Sequence, residues 1–382
     1  MKQTARIIST YTADVSGVPS ALFELGGMVI MHDASGCNST YNTHDEPRWY
    51  DFDSMVYISG LTEMEAIMGD DEKLIGDIVS AASELHPEFI AIAGSPIPMM
   101  IGTDFKAVAS VIEKRTGIKT FGIDTNGMHT YISGASKAFC ALFDGLCTEK
   151  KEKSDSLCVN ILGVTPLDFS VNGSVESMKN ALIKRGVNVN SCWAMGDTLD
   201  SIKNATRASV NLVVSLCGME LARKMQEKFG IPYVVARPCG EMLTDRICDD
   251  IKLSAQDGEN RFTCIDDADN SNTDIVIIGE GIYAKSLSAA LRLEKGVSAR
   301  IICATENCSV KFGIGDAIAR DEEELSELLC NAMVVIADPL YQPILPKGAR
   351  LLPLPHEAFS GRIFRSDIPD TTESIEIIAS QL

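Results

Sequence analysis

One rhythm limits what this chain can fold into. Short apolar runs bounded by Gly or Pro alternate with amphipathic stretches of helical period along most of its length. "EFIAIAGSP" precedes "DFKAVASVIEKRTG" and then "IKTFGID". "LCVNILGV" opens a second series, through "SVESMKNALIKRG", "VNVNSCW", "LDSIKNATRA", "VNLVVSL" and "MELARKMQEKFG" to "IPYVVARP". "DIVIIGEG" opens a third, through "AKSLSAALRLEKG" and "ARIICATE" to "NAMVVIADP". Strands alternating with helices through short loops imply parallel sheets covered by helices on both faces. Two polar stretches without an apolar face, "CTEKKEKSDS" (147–156) and "DDADNSNT" (266–273), divide the pattern into units 1–150, 151–268 and 269–382. The expected fold is α/β, with three Rossmann-like parallel-sheet domains, more than one core being the rule at this length. In such sheets ligands sit beyond the carboxyl ends of the strands.

Charge and cysteine usage narrow the function. A formal net charge of −19 leaves no basic surplus for phosphate, so nucleic acid and anionic membrane surfaces are not expected partners. No apolar run is long enough to span a bilayer, and "MKQTARIISTYTADVSG" has no apolar signal core, so a soluble, cytoplasmic protein is expected. None of the 12 cysteines forms a C-x-x-C pair, which argues against zinc ribbons, thioredoxin-like sites and ferredoxin-type loops. Most lie inside apolar segments and read as small buried hydrophobes.

Two turns stand apart. "GEGIYA", Gly279 to Ala284, fits the G-x-G-x-x-A dinucleotide pattern between a strand and a helix, with Glu306 near the place of a ribose-binding acid. Tight turns of this kind also favour glycine for packing alone. "IMHDASGCNST" (30–40) runs from a strand into a loop with a single cysteine, Cys37. Cluster ligand, nucleophile and turn packing are all readings of Cys37. His32 and Asp33 stand directly before the loop as candidate proton or hydrogen-bond donors, although His32 could equally tie off the strand end. "YNTHDEPRWYDFD" (41–53) reads as a cleft lining, a partner-docking segment or a plain surface loop, and its Trp49 and Arg48, residue types common at interfaces, favour docking.

"MHDASGC", "LTEMEAIMGDDEKL", "MIGTD", "VNILG", "VNLVVS", "KFGIPYVVARPCG" and "LPHEAFSGR" together resemble, in order and spacing, the component 1 proteins of nitrogenase and their protochlorophyllide reductase relatives. The resemblance covers nearly the whole chain. It implies three Rossmann-like domains around a central cleft, a sister component 1-type subunit, and an ATP-dependent iron–sulfur reductase as electron donor. It also implies an oxygen-sensitive assembly acting on a small unsaturated substrate.

The departures from the family pattern carry information. Family subunits that hold a cluster contribute three cysteines; here Ser16 and Ser95 (or Pro96) stand at the first and third places, and only Cys37 matches. The resemblance therefore implies a cluster shared with a partner chain, with Cys37 as this chain's metal ligand. At the place of the large cofactor's cysteine stands Ser215, with Cys217 two residues on, and His356 reads as part of a structural motif. No molybdenum–iron cofactor is expected. The alternatives are an assembly scaffold of the same fold and, through "GEGIYA", a nicotinamide- or flavin-dependent enzyme.

Overall fold

A computed structural model describes residues 6–11, 13–34, 36, 41, 46–265, 268–305, 310 and 312–382. The first sheet contains β1 (Met28–His32), β2 (Met55–Ile58), β3 (Ile90–Gly94) and β4 (Thr120–Ile123). The second contains β5 (Cys158–Leu162), β6 (Asn188–Cys192), β7 (Val210–Val213) and β8 (Tyr233–Val235). The third contains β9 (Ile275–Gly279), β10 (Arg300–Cys303), β11 (Ala317–Ile318), β12 (Val334–Ala337) and β13 (Arg350–Pro353). Their orders are β2-β1-β3-β4, β6-β5-β7-β8 and β11-β10-β9-β12-β13. Every pairing between these strands is parallel. In each sheet the first strand lies inside, so the chain winds outward both ways and leaves a switch point beside β1, β5 and β9. That topology marks the crevices where open sheets bind ligands.

The strands are apolar on both faces because each face meets a different core. Met28 and Ile30 of β1 pack with Ile90 and Ile92 of β3 in an outer cluster under the helices Asp71–Leu85 and Phe105–Thr116. Val29, Met31, Ala91 and Ala93 point the other way, into one large core shared by all three units. The third sheet divides in the same manner, with Val276 and Ile278 in its own cluster and Ile277 in the shared core.

The shared core includes the helices Asp14–Leu22 and Tyr131–Leu146, which cross at glycines. A β-carbon on Gly134 would lie 1.8 Å from the carbonyl oxygen of Asp14, and one on Gly17 would lie 2.2 Å from that of Tyr131. Gly134→Ala is expected to force the helices apart and lower stability by roughly 1–3 kcal/mol, measurable by urea denaturation. A neutral result would mean that this crossing yields freely.

The stretch 147–156 contains no helix or strand, in line with its polarity, but it is tied to the second unit. Lys151 N–H donates to Thr206 Oγ1 at 3.2 Å and Ser154 N–H to the Arg207 carbonyl at 3.2 Å. Among the described residues no helix is long and apolar enough to cross a membrane.

Candidate functional site

The switch point of the first sheet lies between the ends of β1 and β3. Cys37, five residues after the end of β1, lies outside the described residues, as does Glu306. His32 ends β1, buried, with Nδ1 2.8 Å from Ser59 Oγ. The same hydroxyl accepts from Asp33 N–H at 3.1 Å, and Asp33 Oδ1 accepts from Ala34 N–H at 2.8 Å. Burial pushes the His32 imidazole below its ordinary range, outweighing the carboxylates of Asp71, Asp33 and Glu65.

Ser16 is buried in the helix Asp14–Leu22. Two residues earlier, Asp14 accepts the N–H groups of Asn126 and Gly127, the latter at 2.7 Å. Ser95 holds the N-cap position of the short helix Pro96–Ile101, just past the end of β3, without a side-chain capping bond. The third position of that helix is Pro98, which has no N–H to offer, and Ser95 Oγ is left buried without a hydrogen-bond partner. Asn126–Gly127 meets both flanks, since Gly127 also packs against Pro96.

Iron in a cluster prefers thiolate, and a neutral serine hydroxyl is a poor substitute. Among the described residues no group of three or more His, Cys, Asp or Glu could hold a metal ion. The described donors of this edge therefore do not fit a cluster held by this chain alone. Nine of the described cysteines are buried and in no disulfide, and Cys330 is exposed, in keeping with the packing role expected of most of them.

The same edge carries exposed apolar side chains. The helices Glu63–Met68 and Pro96–Ile101 lie against each other. They leave Met64, Ile67, Met68, Met99 and Met100 in solvent, Met100 at 79 % exposure, and Met128 is exposed at the end of the β4 loop. A patch of this kind marks an interaction surface, and methionine adapts to many partners. The docking expectation for 41–53 is corrected at Arg48, whose side chain is 0 % exposed and bound to Glu46 and Glu24. Trp49 packs beside Phe23 and Tyr41 instead of standing free.

A second group of polar side chains gathers where the three units meet, at the ends of β5, β7, β8, β9 and β13. Asp168 is its hub. Its carboxylate accepts from Tyr11 Oη and, at 2.6 Å, from Thr165 Oγ1, with Cys217 Sγ 3.9 Å away. Arg237 donates to the Asp168 carbonyl at 2.9 Å, its guanidinium lying 4.0 Å from the Phe169 ring centre and 4.2 Å from that of Tyr283. His356 Nε2 stands 3.9 Å from Asp168 Oδ1 and has no hydrogen-bond partner. His356 Nδ1 accepts the Ala358 N–H at 3.3 Å, which caps the helix Glu357–Phe364 and puts the neutral ring's proton on Nε2. Metal-binding imidazoles usually donate from the second nitrogen; this one accepts there, so it is set as a cap and a donor. The remaining void beside His356 and Phe359 is about 10 Å³, room for one water at most.

The dinucleotide reading of Gly279–Ala284 meets a physical obstacle. Glu280 turns its own carboxylate onto the helix start, accepting from Tyr283 N–H at 2.8 Å and, across the unit boundary, from Leu216 N–H at 2.8 Å. The position of a pyrophosphate is thus taken by a buried acid. Gly281 is needed for packing, because a β-carbon there would lie 2.5 Å from the Phe312 ring. Sequence reasoning missed Tyr11, Asp168, Arg237 and Glu280 as a group. The available signal was a lone acid after an apolar strand, directly in "GEG" and six residues on in "TPLDF".

The family described as nitrogenase component 1 type oxidoreductase matches residues 19–261. The nitrogenase iron-molybdenum cofactor biosynthesis protein NifE of Clostridium pasteurianum is 32% identical over 181 residues, 47% of this chain and 38% of that protein. The nitrogenase molybdenum-iron protein alpha chain of the same organism is 24% identical over 236 residues, 61% of this chain and 42% of that one. A subunit of the light-independent protochlorophyllide reductase of Leptolyngbya boryana is 25% identical over 266 residues, 60% of this chain and 51% of that one. The match thus spans between 38% and 51% of these relatives' lengths. The solved structure of nitrogenase Cp1 at pH 6.5 shares the fold, with a TM-score of 0.65 at 16% identity over 94% of this chain and 86% of that one.

Proposed function

Because the chain belongs to the nitrogenase component 1 type oxidoreductases, we propose that it is one subunit of a nitrogenase-like two-component reductase, paired with a sister chain across the carboxyl edge of its first sheet. The observation that carries this reading is the exposed methionine-rich face of Glu63–Met68 and Pro96–Ile101, on the edge where β1 and β3 end. In this reading Cys37 supplies one thiolate to an iron–sulfur cluster and the sister chain supplies the rest. A cluster held there brings one-electron chemistry. Ser16 and Ser95 line the site without ligating strongly, and His32 and Asp33 serve as proton or hydrogen-bond donors at its rim. The assembly takes electrons from an ATP-dependent iron–sulfur reductase and reduces a small unsaturated molecule held between the domains.

A second reading is a scaffold that holds a cofactor precursor and passes it on. The likeness to a protein named for cofactor biosynthesis favours it. Turnover of a substrate supports the first reading, and transfer of metal to an acceptor protein supports the second.

Cys37→Ala is expected to abolish the cluster's visible absorption in the purified pair of chains, whereas Cys217→Ala leaves it unchanged. An unaltered spectrum in the Cys37 variant would reduce that residue to turn packing.

A further inference from the structure

The first sheet ends at β4, which pairs with β3 on one side and with no described strand on the other. The Ile90 N–H donates to the Lys119 carbonyl at 2.9 Å, and this sets the alternation along β4. Lys119, Phe121 and Ile123 turn their main-chain groups to β3, whereas Thr120 and Gly122 turn theirs outward. The Thr120 N–H is met by the chain's own acid, Glu113 Oε2, at 3.1 Å, and Glu113 Oε1 accepts from Lys119 Nζ at 3.2 Å. Among the described residues nothing bonds the Gly122 N–H or the outward carbonyls of Thr120 and Gly122. Such an edge is a template for another chain.

The edge forms the floor of a groove of about 590 Å³ walled by the helices Phe105–Thr116 and Tyr131–Leu146. Thr120 and Phe121 are each 7 % exposed, so the floor is recessed. A second copy of the chain, its β4 walled in the same way, cannot bring its own edge down to this one; a single extended segment can. The two walls differ. The first presents Lys106, Ser110 and Lys114, the second Ala141, Asp144 and Gly145. Asp144 is already tied to Lys224, as Glu113 is to Lys119. Lys106 is held by an exposed pair with Asp124, and Lys114 forms no ion pair among the described residues. In a chain with 53 Asp and Glu against 34 Lys and Arg, this groove offers cations to a visitor.

We propose that the β4 edge is a docking site for an extended acidic segment of a partner protein, which adds to the four-stranded first sheet as a fifth strand. Its main chain pairs with Gly122 and with the Thr120 carbonyl, and its side chains alternate between the two walls. Those facing Phe105–Thr116 are acidic, and those facing Tyr131–Leu146 are small and apolar. The spacing agrees. Lys106 and Lys114 are eight residues apart on one helix, about 12 Å along its axis, and acids four residues apart on a strand are separated by about 13 Å. Glu113 then acts as a guard, covering one end of the edge while the groove is empty. The groove runs along the side of the sheet and needs neither a cluster nor a sister chain, so it stands or falls independently of the function proposed above.

The probe is a capped eight-residue peptide alternating glutamate and valine, titrated into the full chain by calorimetry and followed by amide exchange. It is expected to bind with a Kd of about 1 mM or tighter and to slow exchange of the Gly122 amide about tenfold or more while leaving β9 unchanged. The counterpart alternating lysine and valine should bind about tenfold more weakly, and Lys114→Glu, a change at an exposed position, should weaken the glutamate peptide by a similar factor. Raising the salt should weaken it further. A glutamate peptide that does not bind, or that binds Lys114→Glu equally well, would overturn the proposal. So would equal binding of a form N-methylated at every second residue, because a site for anions alone needs no main-chain pairing. Self-association of the chain that protects Gly122 without peptide would give the groove to a second copy and overturn it as well.

Discussion

Arg48→Ala is expected to lose about 3–5 kcal/mol of stability, as when one partner of a buried ion pair is removed. Arg48 Nε donates to Glu46 Oε1 at 2.7 Å and Nη2 to Glu46 Oε2 at 2.9 Å. Nη1 reaches Glu24 at 2.9 Å and the Ala194 carbonyl at 3.1 Å, and Nη2 also reaches the Ser20 carbonyl at 2.8 Å. The other oxygen of Glu24 takes the Gly196 N–H at 2.6 Å, so the cluster joins the first unit to the second. Truncation would leave the Glu46 carboxylate, itself 0 % exposed, without a counter-charge. Arg48→Lys should restore little, because an ammonium lacks the planar fork these five acceptors require. Urea unfolding decides the matter, and a loss below about 1 kcal/mol would place the cluster among weak surface-type pairs.

The second large effect is a pH profile with two opposed limbs. Burial, reinforced by the nearby charge of Asp168, pushes the Glu280 carboxyl up to about 7. The folded protein then holds a proton that the unfolded chain releases from about pH 4.5 upward. Stability falls as pH rises through that window, by about 3 kcal/mol in all. Asp168, also raised by burial, slopes the same way.

His356 does the opposite. Burial, with Arg237 adding to it, lowers the imidazole to about 3, while the unfolded chain protonates near 6.5. Stability is therefore lost as pH falls from about 6.5 towards 3, by roughly 4–5 kcal/mol. Between about pH 4.5 and 6.5 the rise from His356 opposes the falls from Glu280 and Asp168, so the wild type responds less there than the two carboxyl groups alone would give. Glu280→Gln should remove the fall it causes between about pH 4.5 and 7, so that stability rises more steeply with pH up to about 6.5 than in the wild type. His356→Asn, which keeps a good helix cap, should remove the rise instead. Urea midpoints from pH 4 to 8 provide the check, and variants that run parallel to the wild type would remove both groups from the account.

Much of the fold was legible because strand and helix periods are local properties. β3, β5, β7 and β9 fall within the runs that suggested them, and the parallel sheets follow from strand–helix alternation. The site was less legible, and the reasons are physical. A glycine turn specifies a backbone shape but not what fills it, so "GEGIYA" could not reveal that Glu280 occupies its own anion position. A loop containing Arg and Trp does not show whether the charge is paired, so Arg48 suggested a surface when it is an internal clamp. The junction draws Tyr11, Asp168, Cys217, Arg237, Glu280 and His356 from positions scattered along the chain, and only the mutual packing of the units brings them together. The family pattern supplied Cys37, Ser16 and Ser95; of these, Ser95 lies just past the end of β3 and Ser16 is buried in the helix Asp14–Leu22.

The most direct test of the shared-cluster account is anaerobic purification of the native protein, with iron and acid-labile sulfide assayed on whatever elutes with it. The account predicts a cysteine-bearing sister chain in the same peak, about one cluster per pair of chains, and little iron on this chain alone. A full cluster on the isolated chain, or an intact pair containing no iron, would contradict it.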